Sequence, residues 1–455
     1  MNQALKQFID LYNEHHDEIN NNSPQMLNNA RNAALQALTS HPLPKKGSEG
    51  YEATSLEAFL DVDYGVNIKR VDFNVDPKTA FRCDVPNLST CMFFFFNDMF
   101  HPLRIAQAQL PQGVIAQSMR QCAIQNPHIL EQYYGTVAKD HNTIVDLNTL
   151  LAQDGMVIYV PDGVTVEKPI QIVNIINSGA PIMAVRRLLV VIGRNAKASI
   201  LMCDHNQSRE ATSLCLQVNE IIAQDGANVD FYDLEENSSS AKRLSATYVE
   251  QQHDSNVLIN GITLTNGLTR NNFSINVNGE GATTQLLGMT IASGNQHVDN
   301  NTLISHNAPH CNSNEMFKYV LNDTAVGAFA GKILVSEDCP KVEAYQGNHN
   351  ICASTQSKMY SKPQLEIYTD DVKCSHGTTV GQLDQDALMY MRTRGIGVET
   401  ARTMLMQAFM ADVVEAVRLA PLRDRLRHLV EKRFNGSLAM CNDCVTKLNN
   451  QCNKI

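Results

Sequence analysis

Apolar positions recur at spacings of three and four in the first forty residues, fall into short β-like clusters through the middle of the chain, and return to the helical spacing after Gly381. Leu5, Phe8, Ile9 and Tyr12 mark a first amphipathic helix, and "PQMLNNARNAALQAL" a second. The Pro- and Gly-rich stretch "HPLPKKGSEGYEATSLEAFLD" then reads as a loop leading into a mixed region, which gives an N-terminal helical and mixed domain over 1–140. From 141 to 380, clusters such as "MVIYV", "IQIV", "RLLVVIG", "SLCLQV", "NVDFYDL" and "FSINVNG" alternate with Gly, Asn or Asp turns. Three corners share a polar-then-Gly form, at Gly155, Gly163 and Gly226. Such weak recurrence over more than 200 residues fits the stacked coils of a β-helix, while pattern alone leaves a large sandwich or barrel assembly open.

Past Gly381, Asp384 is placed to cap "QDALMYMRTRG", and Gly395 to stop it. "VETARTMLMQAFMADVVEAVRLA" follows with an apolar stripe of Ala401, Met404, Leu405, Ala408, Phe409, Val413, Ala416 and Val417. The stripe serves either the protein's own core or a partner, and its methionines supply adaptable surface for the second role. Pro421 opens a basic helix. Residues 381–435 thus form a C-terminal helical domain, and 436–455 a polar, flexible tail.

Length and charge narrow the function. A chain of 455 residues holds several structural units or one long repetitive unit with appendages. Its 37 basic and 47 acidic residues, a net charge of -10 without runs of either sign, disfavour a nucleic-acid surface. No apolar run approaches the roughly 20 residues a membrane span needs. The N-terminus, with Asp10, Glu14, Asp17 and Glu18, lacks the form of a secretory signal, so a soluble cytoplasmic protein with reduced thiols is expected from its 12 cysteines.

Nucleotide and hydrolase motifs are missing. "GAFAGKI", Gly327 to Ile333, is one residue short of a phosphate loop and ends in Ile where magnesium needs Ser or Thr, so ATP hydrolysis by this chain alone is not expected. "GEGATT" at Gly279 lacks the third glycine of a dinucleotide fingerprint. What remains is cysteine and histidine. If 372–376 is extended, Cys374 and His376 share one face and offer a thiolate and an imidazole, which suit zinc, iron or an iron–sulfur cluster but complete no four-coordinate site; a buried thiol beside a hydrogen-bonded histidine is the plainer alternative. "SHNAPHCNSNE" gathers His306, His310 and Cys311, with His297 and His349 near in sequence, as ligands or as packing and turn residues. The tail pair Cys441 and Cys444, with Cys452, is a weak zinc signal.

The ordered series "SHNAPHCNSNEMFKYVLND", "GAFAGKILVSEDCPKVEAYQGNHNICAS", "KPQLEIYTDDVKCSHGTTVGQLDQDALMYMRTRGI" and the helix from Val398 resembles the SufB/SufD family of iron–sulfur cluster assembly scaffolds, from roughly Asp140 to Ala420. Histidine at 376 is similar to the SufD branch. The resemblance implies a mainly β fold, a right-handed parallel β-helix core with N- and C-terminal helical regions. It also implies a non-catalytic subunit of a SufBCD complex. A SufB-like subunit would share a transient iron–sulfur cluster at an interface holding His376 and Cys374, and a SufC-like ATPase would dock on the C-terminal helix at Met404, Leu405, Ala408, Phe409 and Val413. The resemblance implies no cofactor stably bound by the isolated chain; a homodimer in isolation is a further expectation. Tyr51 stands where the SufD pattern has tryptophan, and "TRGI" at Thr393 replaces "SRGI". Two readings from other classes stand beside it: a self-sufficient metal-binding protein using His306, His310, Cys311 and Cys374, and a β-helix carbohydrate-active enzyme.

Overall fold

The computed structural model describes residues 2–71, 88–101, 104–206 and 211–435. The tail with Cys441, Cys444 and Cys452 lies outside them. Among the described residues the strands form two facing sheets, one of ten strands and one of nine, and every pairing along the body of each sheet is parallel. Successive strands in the chain alternate between the two sheets, which makes a parallel β-solenoid. Hydrogen-bonded side chains one coil apart are 29 to 31 positions apart, as in Asn271 to Asn300, Asn174 to Asp204 and Gln346 to Glu315.

Stacking requires the corners to repeat, and the corners show how. The backbone N–H of Gly163 donates to Arg194 O, that of Asn195 to Asp225 O, that of Gly226 to His253 O and that of Asp254 to Glu280 O, at 2.7–2.9 Å, so each corner hangs on the next coil. All four residues sit at positive φ, between 53° and 71°, where Gly, Asn and Asp are tolerated. Gly163 and Gly226 therefore share one corner geometry. Gly155 does not: its φ is not positive, and a Cβ there would lie 2.3 Å from the carbonyl of Arg187, so it serves close backbone approach instead.

The interior between the sheets is one continuous apolar cluster running from Phe93 through Ile172, Phe231, Ile259 and Phe317 to Ala344. Both outer faces are also covered in the early coils. Helices Gln3–Asn21, Gln25–Ser40 and Thr143–Leu151 pack with Leu189, Leu216 and Leu244 on the nine-stranded sheet. Helices Val398–Glu415 and Ala420–Phe434 pack with Leu258, Leu287 and Met289 on the ten-stranded sheet. Burial on both faces is why strand Ile182–Ile192 is apolar almost throughout rather than alternating. Arg31 ties the helical cap together: its buried guanidinium donates to the carbonyls of Thr149, Leu150 and Ala152 at 2.6–3.0 Å, satisfying the end of helix Thr143–Leu151.

Two boundaries differ from the sequence reading. Strand Cys91–Phe96, within 1–140, pairs in parallel with Ile170–Ile176 and begins the ten-stranded sheet, so the N-terminal region supplies part of the solenoid. Helix Thr143–Leu151, in turn, lies inside 141–380 but belongs to the cap, because all its residues after Thr143 are buried, its apolar ones in the cluster shared by the N-terminal helices and the nine-stranded sheet. No helix among the described residues is long and apolar enough to cross a membrane.

The loop around Tyr51 runs along the outer face of the nine-stranded sheet toward its last strand. Tyr51 covers the Arg270 guanidinium at 3.9 Å, Thr54 bonds His297 at 2.9 Å, and Glu52 accepts from Lys362 at 2.6 Å. An aromatic face over a cation is the physical requirement at position 51, and tyrosine meets it.

Candidate functional site

The solenoid ends in two strands with one bonded edge each. Lys358–Ile367 closes the nine-stranded sheet, and Lys373–Gly381 the ten-stranded one. An unpaired edge is a template for another strand unless it is covered. Nothing in this chain covers the second edge among the described residues, and Lys373–Gly381 is exposed along most of its length. Exposed Tyr345, Tyr360, Ile367 and Tyr368 lie on the two preceding strands and the corner after them, Val380 on the strand itself, and Met389 and Tyr390 on the following helix. This is a concentration of apolar side chains unlike the scattered ones of an ordinary surface.

Register decides what the last strand presents. Cys374, His376, Thr378 and Val380 stand opposite Ala344, Gln346, Asn348 and Asn350. All four partners are buried inside the solenoid, so Cys374 to Val380 form the final interior row, with open space where a further coil would be. Cys374 and His376 thus share one face, as the extended reading required. Cys374 is half-buried against the interior core and His376 is exposed. Burial pushes the Cys374 thiol up from its ordinary value, although a hydrogen bond from the Ala344 backbone opposes this. A thiolate at 374 therefore needs a cation beside it. On the opposite, outward face of the strand, Thr379 bonds His349 at 3.0 Å. Lys373 pairs with Glu343 at 2.7 Å.

The second histidine group disperses. His306 is buried, bonds Ser313 at 2.9 Å, and is pushed down to about 4 by burial. His310 is exposed and fills a left-handed corner at φ 57°. Cys311 is buried, bonds the Gly279 carbonyl at 3.2 Å, and is pushed up by burial. His297 is taken by Thr54. Among the described residues no three His, Cys, Asp or Glu side chains converge on one point, so the self-sufficient metal reading has no site there. The perturbed carboxyls Glu235 and Glu315, each pushed up to about 7 by burial, lie inside the coils, out of reach of a polysaccharide.

The C-terminal helix Val398–Glu415 divides its stripe. Val413 and Met410 are fully buried on the ten-stranded sheet, so Val413 belongs to the chain's own core and not to a docking face. Phe409 is half-buried beneath Lys318, whose Nζ donates to the Phe409 carbonyl at 2.8 Å, stands 4.9 Å from its ring and pairs with Asp412. Leu405 is partly covered, and Met404 and Ala408 are exposed. Sequence reasoning missed Lys318, Gln346 and Glu315, because their roles depend on which coil lies above which.

The fold and site define a capped parallel β-solenoid that ends on an exposed strand bearing a thiol–imidazole row. In the family comparison, residues 174–409 match the model described as "SUF system FeS cluster assembly, SufBD core domain", and 2–172 match the "SufBD protein N-terminal region". The chain belongs to the SufBD family of the iron–sulfur cluster assembly system. It is 29% identical over 416 residues, 90% of this chain and 91% of the relative, to an iron–sulfur cluster assembly SufBD family protein of Synechocystis. It is 33% identical over 183 residues to SufD of Escherichia coli, covering 40% and 43% of the two chains, and 22% identical over 437 residues to SufD of Bacillus subtilis, covering 94% and 97%.

Proposed function

We propose that this chain is a SufD-like scaffold without catalysis of its own, that it joins a SufB-like subunit along strand Lys373–Gly381, and that it docks a SufC-like ATPase through the exposed part of helix Val398–Glu415. The observation that carries this reading is the exposed edge strand whose interior row begins with Cys374 and His376. Pairing with a partner strand would extend the sheet, cover the surrounding tyrosines and bring the partner's ligands over that row. The nascent cluster is the cargo, held transiently by a thiolate and an imidazole from this side and by partner groups from the other. Neither residue alone suffices. Without a partner, the same edge can pair with a second copy of this chain. The cytoplasm, where thiols stay reduced, suits all eight free cysteines among the described residues.

Co-purification with SufB- and SufC-like partners, followed by anaerobic iron and sulfide quantitation, tests the site. His376→Ala is expected to leave the complex intact and to lose most of the cluster. Equal loading by mutant and wild type would make the Cys374–His376 row structural. For docking, Met404→Glu places a charge on the exposed turn and is expected to weaken ATPase capture at least tenfold in a titration, with cluster-site residues untouched. Capture at wild-type affinity would move the docking face elsewhere.

A further inference from the structure

Gln346 lies one strand below His376 in the same interior row, and its amide is held from beneath. Its Nε2 donates to Glu315 Oε2 at 2.8 Å, and Thr302 Oγ1 donates to Glu315 Oε1. In the ionised form of Glu315, the form present at pH 8.5, both carboxylate oxygens accept, and the Gln346 amide has to turn its NH2 group toward it. The side chain is almost fully buried, yet its Oε1 has no partner. A buried carbonyl left without a donor costs roughly 1–3 kcal/mol, so its retention calls for a use.

The cradle is built for this amide. At Gly331, on the facing strand, a Cβ would lie 2.6 Å from Gln346 Nε2 and equally close to the Phe329 ring, so a larger residue would press on both. Glu315 differs from four other buried carboxylates of the coils. Asp204, Asp233, Glu220 and Asp299 each face an arginine, whereas no ion pair reaches Glu315 among the described residues. Its surroundings serve hydrogen bonding and not charge balance. Adjacent strands are about 4.8 Å apart, which puts the next side chain of the row within reach of a free amide oxygen, and that side chain is His376.

We propose that Gln346 is the positioning residue of His376: its Oε1 accepts the ring N–H not used for ligation, and Glu315 fixes the amide in the orientation that leaves Oε1 available. The purpose assigned to this contact rests on the cluster-site reading of His376. A ligand histidine whose second nitrogen is engaged keeps one tautomer and one ring orientation, and losing such a partner typically costs about 10- to 100-fold in metal affinity or activity.

The test uses the full chain with 15N-labelled histidine at pH 8.5, the His376 ring signals being assigned by their loss in His376→Ala. Wild type is expected to show one dominant neutral tautomer. Gln346→Met, similar in size but without an acceptor, should shift the tautomer ratio about fivefold toward the other form, the worth of one hydrogen bond. Gly331→Ala, which presses on the amide and on the Phe329 ring beside it without changing the amide's chemistry, should do the same and serves if Gln346→Met fails to fold. An unchanged ratio in a folded variant overturns the proposal. Cluster loading of the partner complex is a separate readout. Should His376→Ala load normally while Gln346→Met shifts the tautomer, the cluster reading fails and the positioning contact stands.

Discussion

Replacing Arg243 by Met should destabilise the solenoid by about 3–5 kcal/mol, the usual cost of stripping the cation from a buried charge cluster. Arg243 is buried between the sheets, pairs with Asp233, and lies 3.5 Å from Asp204 and 4.0 Å from Glu235. Burial pulls its guanidinium down, but Asp233, Asp204 and Glu235 outweigh that and hold it above its ordinary value. Arg186 remains on Asp204 at 3.1 Å, so the loss falls mainly on Asp233 and Glu235. Methionine fills the space without a charge, which separates the electrostatic loss from a cavity. Urea unfolding followed by circular dichroism at pH 8 measures it, and the deficit should shrink at pH 5, where protonation relieves the carboxyls. A loss of unfolding free energy below about 1 kcal/mol at both pH values would mean that the cluster is not held by Arg243.

The opposite sign is expected at Glu315. Its folded value, pushed up to about 7 by burial, lies above the ordinary 4.5, so the folded state binds the proton more tightly than the unfolded one. The linked stability is full below pH 4.5 and is lost as pH rises through 7. Glu315→Gln cannot ionise and keeps an acceptor for Thr302. Relative to wild type it should therefore gain about 3 kcal/mol between pH 4.5 and pH 8, following from a shift of this size. The difference between the two urea midpoints, measured across that range, is the readout. A difference that does not vary with pH would show that Glu315 titrates as an exposed carboxyl does. If the gain is found, wild type gives up stability at neutral and higher pH by keeping beneath Gln346 a carboxylate whose two oxygens accept.

Much was legible in the chain because it depends on local chemistry. The 3.6-residue period of Leu5, Phe8, Ile9 and Tyr12 gave the first helix, whose four side chains are all buried as the stripe requires. Asp384 caps its helix through bonds to Asp386 N and Ala387 N at 2.9 and 3.0 Å. The turn residues at Gly163 and Gly226 announced left-handed corners. Alternation in an extended strand put Cys374 and His376 on one face before any coil was placed.

What sequence by itself determined, then, was the kind of element, the solenoid body, the SufB/SufD resemblance and the pair of residues at its edge. These follow from side-chain period, turn stereochemistry and an ordered run of motifs, each contained in neighbouring residues. Tertiary structure alone decided that Gly155 is a close approach and not a corner, that Val413 is core while Met404 is free, and that His376 rests over Gln346 and Glu315. Those relations join residues about thirty positions apart, and the coil length that aligns them is set by corners and stacking together. A row of side chains inside a solenoid exists only once the coils are in register.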